Sequence, residues 1–217
     1  MINKKYKGII FDIDGTLLDS LDFWADADRQ FLKMLGIEYD PSISAVLKTM
    51  HFTSASEYFV EKYNLDLTAE QVMESILGIV KENYFNKLCT KPFVKEFIKQ
   101  ENNKGIKMCA ATSNLKYLAE GALKNAGIYD KMQFILTSDE VKCGKESPLI
   151  FHKSAELLGL DKDEIIVFED SVHAAESASK AGFYTIGIYD RHYEDEFRLL
   201  EEIADMTVKS FEELLMN

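Results

Sequence analysis

Four short polar segments of this chain follow apolar runs, and each carries side chains that could do chemistry. Asp12 and Asp14 come directly after the apolar run 8–11, two residues apart. A turn begun by Gly15 could point the second carboxylate toward the first. The other three segments offer hydroxyls, an amide, a lysine and two more carboxylates, at Thr112, Ser113, Asn114, Lys145, Glu169 and Asp170.

Clustered carboxylates indicate a cation, because they repel one another strongly unless a cation joins them. Oxygen ligands of this type suit Mg²⁺, which keeps several waters and is completed by substrate phosphate. Lys145 and the hydroxyl of Thr112 are natural partners for phosphate oxygens. Free amides at the start of a helix after Asn114 would add to them. The set therefore predicts a magnesium-assisted reaction on a phosphate group.

The elements that would position these residues are strands that alternate with helices. Helical spacing over 115–126, 147–158 and 172–181 is followed each time by a glycine, which suits a left-handed helix end. This rhythm predicts a parallel sheet that is covered on both faces and binds ligands at the carboxyl ends of its strands. The predicted strands are 8–11, 106–111, 134–137, 165–168, 185–188 and a short edge strand at 205–208.

The interval 12–105 separates the first two predicted strands, whereas a single crossover helix needs far less chain. Apolar residues recur there at three- and four-residue spacing, which is typical of helices. The simplest interpretation is an all-helical cap domain, residues 20–90, inserted into a three-layer α/β core. The core would consist of residues 1–19 and 91–217. The predicted helices of this interval are 20–35, 43–62 and 68–88, followed by 95–102.

The chain of 217 residues carries a formal net charge of −12, from 25 Lys and Arg against 37 Asp and Glu. Such a surface repels nucleic acid and anionic membranes, so neither is expected as a partner. The apolar stretch near the N-terminus is too short for a signal peptide, and no window approaches the length of a membrane span. Cys89, Cys109 and Cys143 lack the spacing of a zinc site and suit a reducing compartment. We therefore predict a cytoplasmic protein.

The first polar segment, read with its flanks from Phe11 to Ser20, resembles the signature of the haloacid dehalogenase superfamily. Residues 111–114, 144–145 and 167–171 resemble the second, third and fourth motifs of that superfamily. The resemblance extends along essentially the whole chain, and it implies a Rossmann-like core. The predicted helical insertion resembles the cap of the β-phosphoglucomutase and phosphoglycolate phosphatase branch.

The resemblance implies a role for each residue of the set. Asp12 would be the nucleophile that takes the phosphoryl group, and Asp14 would protonate the leaving oxygen and later activate water. The carboxylates of Asp12 and Asp170 would hold Mg²⁺ with the backbone carbonyl of Asp14. Glu169 would add a metal ligand, directly or through water. The implied phosphate-binding residues are Thr112, Ser113, Asn114 and Lys145, and Thr112 and Lys145 are also implied to be catalytic.

The implied function is a Mg²⁺-dependent phosphatase that hydrolyses a small phosphorylated metabolite through an aspartyl-phosphate intermediate. A sugar phosphomutase is the main alternative, since mutases of this branch are similar but grip a second phosphate with a cap arginine. The only arginine of the insertion is Arg29, which does not align with the mutase position. A non-catalytic binding protein that keeps the fold is the alternative from another class, and the presence of Asp12, Asp14 and Asp170 disfavours it.

Two other branches of the superfamily fit the sequence less well. A dehalogenase lacks the second aspartate, which is present here as Asp14. A phosphonatase would need a cap lysine that forms a Schiff base, and nothing singles out one of the three candidates Lys33, Lys48 and Lys62.

Two segments depart from the family pattern. Residues 146–149 read Glu-Ser-Pro-Leu after Lys145, where relatives commonly continue with Pro-x-Pro-Asp. Residues 91–93 read Lys-Pro-Phe where relatives often have Pro-Gly, at the point where the cap rejoins the core. Substrate selectivity is expected in the cap, whose candidate residues are Trp24, His51, Phe52 and Tyr58; Trp24 is expected to pack between cap and core.

Overall fold

A six-stranded parallel sheet forms the centre of the protein. The computed structural model describes residues 2, 4–47, 50, 52–86 and 88–215. The strands are β1 (Gly8–Phe11), β2 (Lys107–Thr112), β3 (Ile135–Thr137), β4 (Ile165–Glu169), β5 (Tyr184–Ile188) and β6 (Met206–Val208). They lie in the order β3-β2-β1-β4-β5-β6, so β1 is flanked by β2 and β4 at the centre of the sheet.

The apolar runs form these strands because both faces of the sheet are covered. In β1, Ile9 and Phe11 belong to the hydrophobic cluster on one face, whereas Ile10 belongs to the cluster on the other. All three side chains are fully buried. Side chains alternate in this way along a strand, so a run without polar residues marks a strand that is buried on both sides. The predicted three-layer α/β core is confirmed.

Helices cover both faces of the sheet. In chain order they are α1 (Leu21–Met34), α2 (Ile43–Leu47), α3 (Phe52–Tyr63), α4 (Ala69–Asn86), α5 (Val94–Asn103), α6 (Lys116–Ala126), α7 (Ser138–Val141), α8 (Leu149–Leu158), α9 (Val172–Lys180) and α10 (Glu194–Ile203). The apolar sides of α5 and α6 pack on the face of Ile9, and those of α8 and α9 pack on the face of Ile10. Gly127 and Gly159 end α6 and α8 in the left-handed conformation, as predicted.

The four helices α1 to α4 lie between β1 and β2, and we call residues 21–86 the helical insertion. Within it α4 packs against α1 and α3, and α4 also contacts α6 of the core. Phe31, Phe59 and Ile76 are buried and belong to the same hydrophobic cluster as one face of the sheet. The insertion is helical, as predicted, whereas the exact boundaries of a cap domain, 20–90, and of the core, 1–19 and 91–217, stay predictions.

The two connections between insertion and core run side by side. Leu18 forms an isolated antiparallel bridge with Thr90. The backbone N–H of Asp19 donates to the Cys89 carbonyl at 3.1 Å, and that of Lys91 donates to the Leu17 carbonyl at 2.9 Å. The chain thus leaves and re-enters the core through two paired segments, which lie just after Asp12 and Asp14 in sequence on the outgoing side.

The predicted helix over 43–62 is wrong as a single element. α2 ends at Leu47, α3 begins at Phe52, and the chain bends at Met50 between them. Apolar spacing continues across this bend, and spacing alone does not show where a helical hydrogen-bond ladder stops.

The two helices α7 and α10 have no counterpart in the sequence prediction, because α7 is a single turn and α10 buries only Leu200. Among the described helices, none is long and apolar enough to cross a membrane.

Candidate active site

β1 delivers two carboxylates to the carboxyl end of the sheet. Asp12 follows the strand directly, and its backbone N–H donates to the Phe168 carbonyl of β4 at 2.9 Å. Gly15 then turns the chain at a φ of 87°. A Cβ at Gly15 would lie 2.1 Å from Oδ2 of Asp170. Since no side chain fits there, the glycine allows the segments of Asp12 and Asp170 to approach each other closely.

Lys145 extends from the loop before α8 and lies between two carboxylates. Its Nζ pairs with Oδ1 of Asp12 and, at 2.6 Å, with Oε1 of Glu169. All three side chains are buried. Burial disfavours the charged amine, but the two carboxylates outweigh this effect and raise the pKa of Lys145 above its usual range. The lysine is therefore a fixed cation at the site, although the residues after it depart from the family pattern.

Three carboxylates converge beside this lysine. One oxygen each of Asp12, Glu169 and Asp170 lies within 4.8 Å of the others. Oδ2 of Asp12 and Oδ2 of Asp170 are buried, and neither has a hydrogen-bond partner among the described residues. Burial raises the pKa of Asp12 to about 7. Burial and the neighbouring Asp12 raise the pKa of Asp170 well above its usual range.

Such unpaired oxygens are costly to bury unless a cation joins them. A hard divalent cation prefers oxygen donors of this kind. The donor set thus fits a metal ion, and the cluster of Asp12, Glu169 and Asp170 can hold one.

Asp14 lies beside the cluster, and its carboxylate accepts hydrogen bonds from Tyr84 and Trp24 of the helical insertion as well as from core residues. Oδ1 accepts hydrogen bonds from the hydroxyls of Ser20 at 2.6 Å and Tyr84 at 2.5 Å, and the indole N–H of Trp24 donates at 3.4 Å. Oδ2 accepts from the amide of Asn114 at 3.0 Å. Burial and the Asp14 charge raise the pKa of Tyr84 well above its usual range, so its hydroxyl stays a donor.

The three polar residues at the carboxyl end of β2, Thr112, Ser113 and Asn114, have different surroundings. Oγ1 of buried Thr112 accepts the backbone N–H of Asn114 at 3.0 Å and can still donate its own hydrogen. Ser113 lines the same cavity as Thr112. The side-chain amide of Asn114 donates to both Asp14 and Tyr84. The structure thus brings all three to the site, and it turns Asn114 toward the second aspartate; their phosphate-binding roles stay predictions.

A cavity of about 370 Å³ connects the carboxylates to the helical insertion. This volume suits a small molecule. On the core side, Lys145 is the only lysine or arginine among the described lining residues. On the insertion side, α1 contributes Leu21, Trp24, Ala25 and Asp28, and α3 and α4 contribute mainly apolar side chains, among them Phe59 and Ile76.

The profile of the family described as Haloacid dehalogenase-like hydrolase matches residues 9–188. The chain belongs to this family. It is 26% identical, over 96% of each chain, to the Phosphorylated carbohydrates phosphatase of Thermotoga maritima. It is 28% identical to Hexitol phosphatase A of Escherichia coli, over 84% of this chain and 82% of that one.

A solved structure of β-phosphoglucomutase from Clostridium difficile superposes with a TM-score of 0.80 at 22% identity, covering 97% of this chain and 94% of that chain. This likeness shows the shared fold. The relatives named as phosphatases confirm the predicted enzyme class, a phosphoric monoester hydrolase of the haloacid dehalogenase type.

Two residues at the site of this haloacid dehalogenase-like hydrolase were not predicted from the sequence. Tyr84 contacts Asp14 from α4, and Asp28 lines the cavity from α1. Asp28 stands four residues after Trp24, on the same side of a helix. That spacing was the available signal for Asp28, whereas the contact of Tyr84 depends on how α4 docks onto the core.

The structure places the residues that were expected to set substrate selectivity in different surroundings. Trp24 lines the cavity and also reaches Asp14, so it does more than pack. Tyr58 is not among the described lining residues, and its ring lies 5.7 Å from Nζ of Lys62. His51 and Lys48 lie outside the described residues, as does the side chain of Phe52.

Tyr84→Phe removes the hydroxyl that holds Asp14 and leaves the ring in place. We expect kcat to fall by roughly tenfold, because the aspartate implied as the acid and base loses one orienting hydrogen bond. Stability should fall by about 1–2 kcal/mol, since a buried donor of Asn114 also loses its acceptor. Steady-state kinetics and urea unfolding measure the two effects. Tyr117→Phe, on the half-exposed face of α6, is the matched control; equal kinetics for both variants would contradict the role of Tyr84.

Proposed function

We propose that this chain is a Mg²⁺-dependent phosphatase that hydrolyses a small phosphorylated carbohydrate through an aspartyl-phosphate intermediate on Asp12. The observation that carries the proposal is the unpaired, buried Oδ2 of Asp12, on a carboxylate that belongs to the acidic cluster and pairs with Lys145 through Oδ1. A carboxylate that follows a buried strand, lines a cavity and lies beside a lysine can act as the nucleophile toward phosphorus. The cytoplasmic location stays a prediction from the sequence.

In this mechanism Oδ2 of Asp12 forms the bond to phosphorus as the bond to the leaving alkoxide breaks. In its protonated form Asp14 gives its proton to that alkoxide, and the carboxylate that remains later takes a proton from the water that attacks the aspartyl phosphate. The second step releases inorganic phosphate and restores the Asp12 carboxylate. Hydrogen bonds from Ser20, Tyr84 and Asn114 hold the Asp14 carboxylate in one orientation, which supports this role.

Charge balance explains the other residues of the site. The substrate phosphate is an anion and must approach three carboxylates. Lys145 and the hydroxyl of Thr112 are placed to bind its oxygens, and Glu169 orients the lysine through the 2.6 Å contact. Mg²⁺ bound by Asp12, Asp170 and Glu169 would supply the remaining positive charge. The backbone carbonyl of Asp14 stays a predicted additional ligand.

The substrate class rests on the cavity and on the relatives. The cavity is small, so a phosphorylated metabolite fits it and a folded phosphoprotein does not. Relatives named for phosphorylated carbohydrates and for hexitols match 96% and 84% of the chain. A phosphomutase is disfavoured, because Lys145 is the only lysine or arginine that lines the described cavity. Arg29 is instead exposed and pairs with Asp26 at 2.5 Å.

The test is phosphate release from 4-nitrophenyl phosphate and from a panel of sugar and polyol phosphates. We expect hydrolysis with Mg²⁺ and a loss of at least about 10²-fold after chelation. Added Mg²⁺ should restore the rate. Equal rates in chelator and in Mg²⁺ would contradict the metal requirement, and conversion of a sugar phosphate to its isomer without phosphate release would favour the mutase.

A further inference from the structure

Asp28 is a carboxylic acid in the helical insertion that faces the cavity from α1. It shares one face of the helix with Leu21 and Trp24, at spacings of seven and four residues. Ala27, Phe31 and Leu32 of the same helix are buried in the hydrophobic cluster. The helix therefore turns one acidic side chain toward the space above the phosphate site.

The surroundings of Asp28 give it no counter-charge. No described side chain forms a hydrogen bond or ion pair with it, and its neighbours along the cavity are mainly apolar. Burial alone raises the pKa of Asp28 to about 7. The Asp28 side chain is only partly exposed, so its carboxyl is partly desolvated and has no described partner to compensate. A bound molecule that donates a hydrogen bond at this position would supply that partner.

The location of Asp28 identifies which part of a substrate meets it. Phosphate binds at Lys145 and Thr112 on the core side under the proposed function, so the alcohol portion extends toward the insertion. A hydroxyl there can donate to the Asp28 carboxylate. A second anionic group there would be repelled by Asp28, since no lysine or arginine lines the described insertion side of the cavity.

We propose that Asp28 is a specificity-determining residue that binds a hydroxyl of the leaving alcohol and rejects phosphate esters that carry a carboxylate at that end. This inference rests on the proposed phosphatase function and narrows its substrates to neutral polyol and sugar esters.

The experiment compares two esters of the same chain length, glucitol 6-phosphate and 6-phosphogluconate, which differ in a terminal hydroxyl against a carboxylate. At about pH 8 the wild type should favour glucitol 6-phosphate by roughly 100-fold in kcat/KM. Asp28→Asn should reduce that ratio by about tenfold or more, because the amide can still bond but no longer repels. Hydrolysis of 4-nitrophenyl phosphate should change little.

A pH series adds a signature that a merely structural role would not give. Asp28 is mostly neutral at about pH 6 and mostly ionised at about pH 8, so the wild-type preference should increase across this range and stay flat in Asp28→Asn. Both esters share the phosphate and the catalytic groups, so their titration cancels in the ratio. The other charged or titratable groups that face the cavity are Asp12, Asp14, Lys145, Glu146, Glu169, Asp170, His173, His192 and Tyr193.

Asp26→Asn is the matched control, because it removes the same charge from the exposed side of the same helix. An equal ratio in wild type and Asp28→Asn, with 4-nitrophenyl phosphate still hydrolysed, would overturn the role of Asp28 and leave the phosphatase intact. Wild-type hydrolysis of 4-nitrophenyl phosphate with no turnover of glucitol 6-phosphate would do the same. No hydrolysis of any ester with Mg²⁺ would overturn the proposed function itself.

Discussion

Asp12→Asn is expected to lower turnover of every phosphate ester by at least about 10⁴-fold. The amide is a poor nucleophile, and the variant also removes one carboxylate charge from the cluster that can hold the cation. The fold should persist, because Lys145 keeps its contact with Glu169. Steady-state kinetics with 4-nitrophenyl phosphate measure the loss, and Asp130→Asn, on an exposed turn, is the control.

Measurements of the stability of Asp12→Asn should show whether the variant loses activity because it lacks the nucleophile or because it is misfolded. The pKa of Asp12 in the folded protein is about 7, above its value in the unfolded chain. Wild type therefore loses stability as pH rises through 7, and Asp12→Asn should lack this part of the pH dependence. Beryllofluoride with Mg²⁺ should raise the Tm of the wild type and leave that of Asp12→Asn unchanged. A variant that hydrolyses esters at an appreciable rate would contradict the role of Asp12.

Lys145→Met should have the second largest effect. The change leaves Asp12 and Glu169 as buried neighbours without their shared cation, so stability at pH 8 should fall by roughly 3–5 kcal/mol. Activity should fall by about 10³-fold, because the lysine also binds the phosphoryl oxygens in the proposed mechanism. Urea unfolding at two pH values and steady-state kinetics measure the two losses.

The sign of the pH effect follows from the same contact. Lys145 lowers the pKa of Asp12, so its removal raises that pKa further above 7. The defect of Lys145→Met should therefore shrink at pH 5, where Asp12 is protonated in both proteins, and Mg²⁺ should restore part of the stability at pH 8. Lys153→Met, whose lysine is exposed on α8, is the control. A defect of equal size at both pH values would contradict the electrostatic explanation.

The sequence predicted which residues lie at the carboxyl ends of the strands, but it did not predict which of their side chains pair with each other. Asp12, Lys145 and Asp170 were assigned to one crevice because parallel strands bring their carboxyl ends to one edge. Their convergence in the structure follows from that rule. The precise partner of Lys145, Glu169, could not be read from sequence, since both residues lie in loops or at a strand end whose side chains can point in several directions.

For the helical insertion, the sequence predicted the helices but not their contacts with the core. Its apolar spacing indicated α1, α3 and α4, but helical spacing does not state which residue of a polar face meets the core. Tyr84 reaches Asp14 only because α4 docks against α6 and α1, across about 70 residues of sequence. The four-residue spacing from Trp24 was the local signal for Asp28, but its position at the cavity depends on how α1 docks onto the core. Tertiary docking, which local patterns do not encode, decided both positions.

The most direct test of the central proposal is to trap the phosphoryl group on the enzyme. Asp14→Asn should slow hydrolysis of the intermediate by roughly 10²–10⁴-fold, the usual range for loss of an acid–base group. The variant is mixed with Mg²⁺ and 4-nitrophenyl phosphate, whose leaving group needs no proton, and is then quenched in acid. Peptide mapping by mass spectrometry should place one phosphoryl group on the peptide that contains Asp12. A phosphoryl group on another residue, or turnover with none on the enzyme, would contradict the aspartyl-phosphate mechanism.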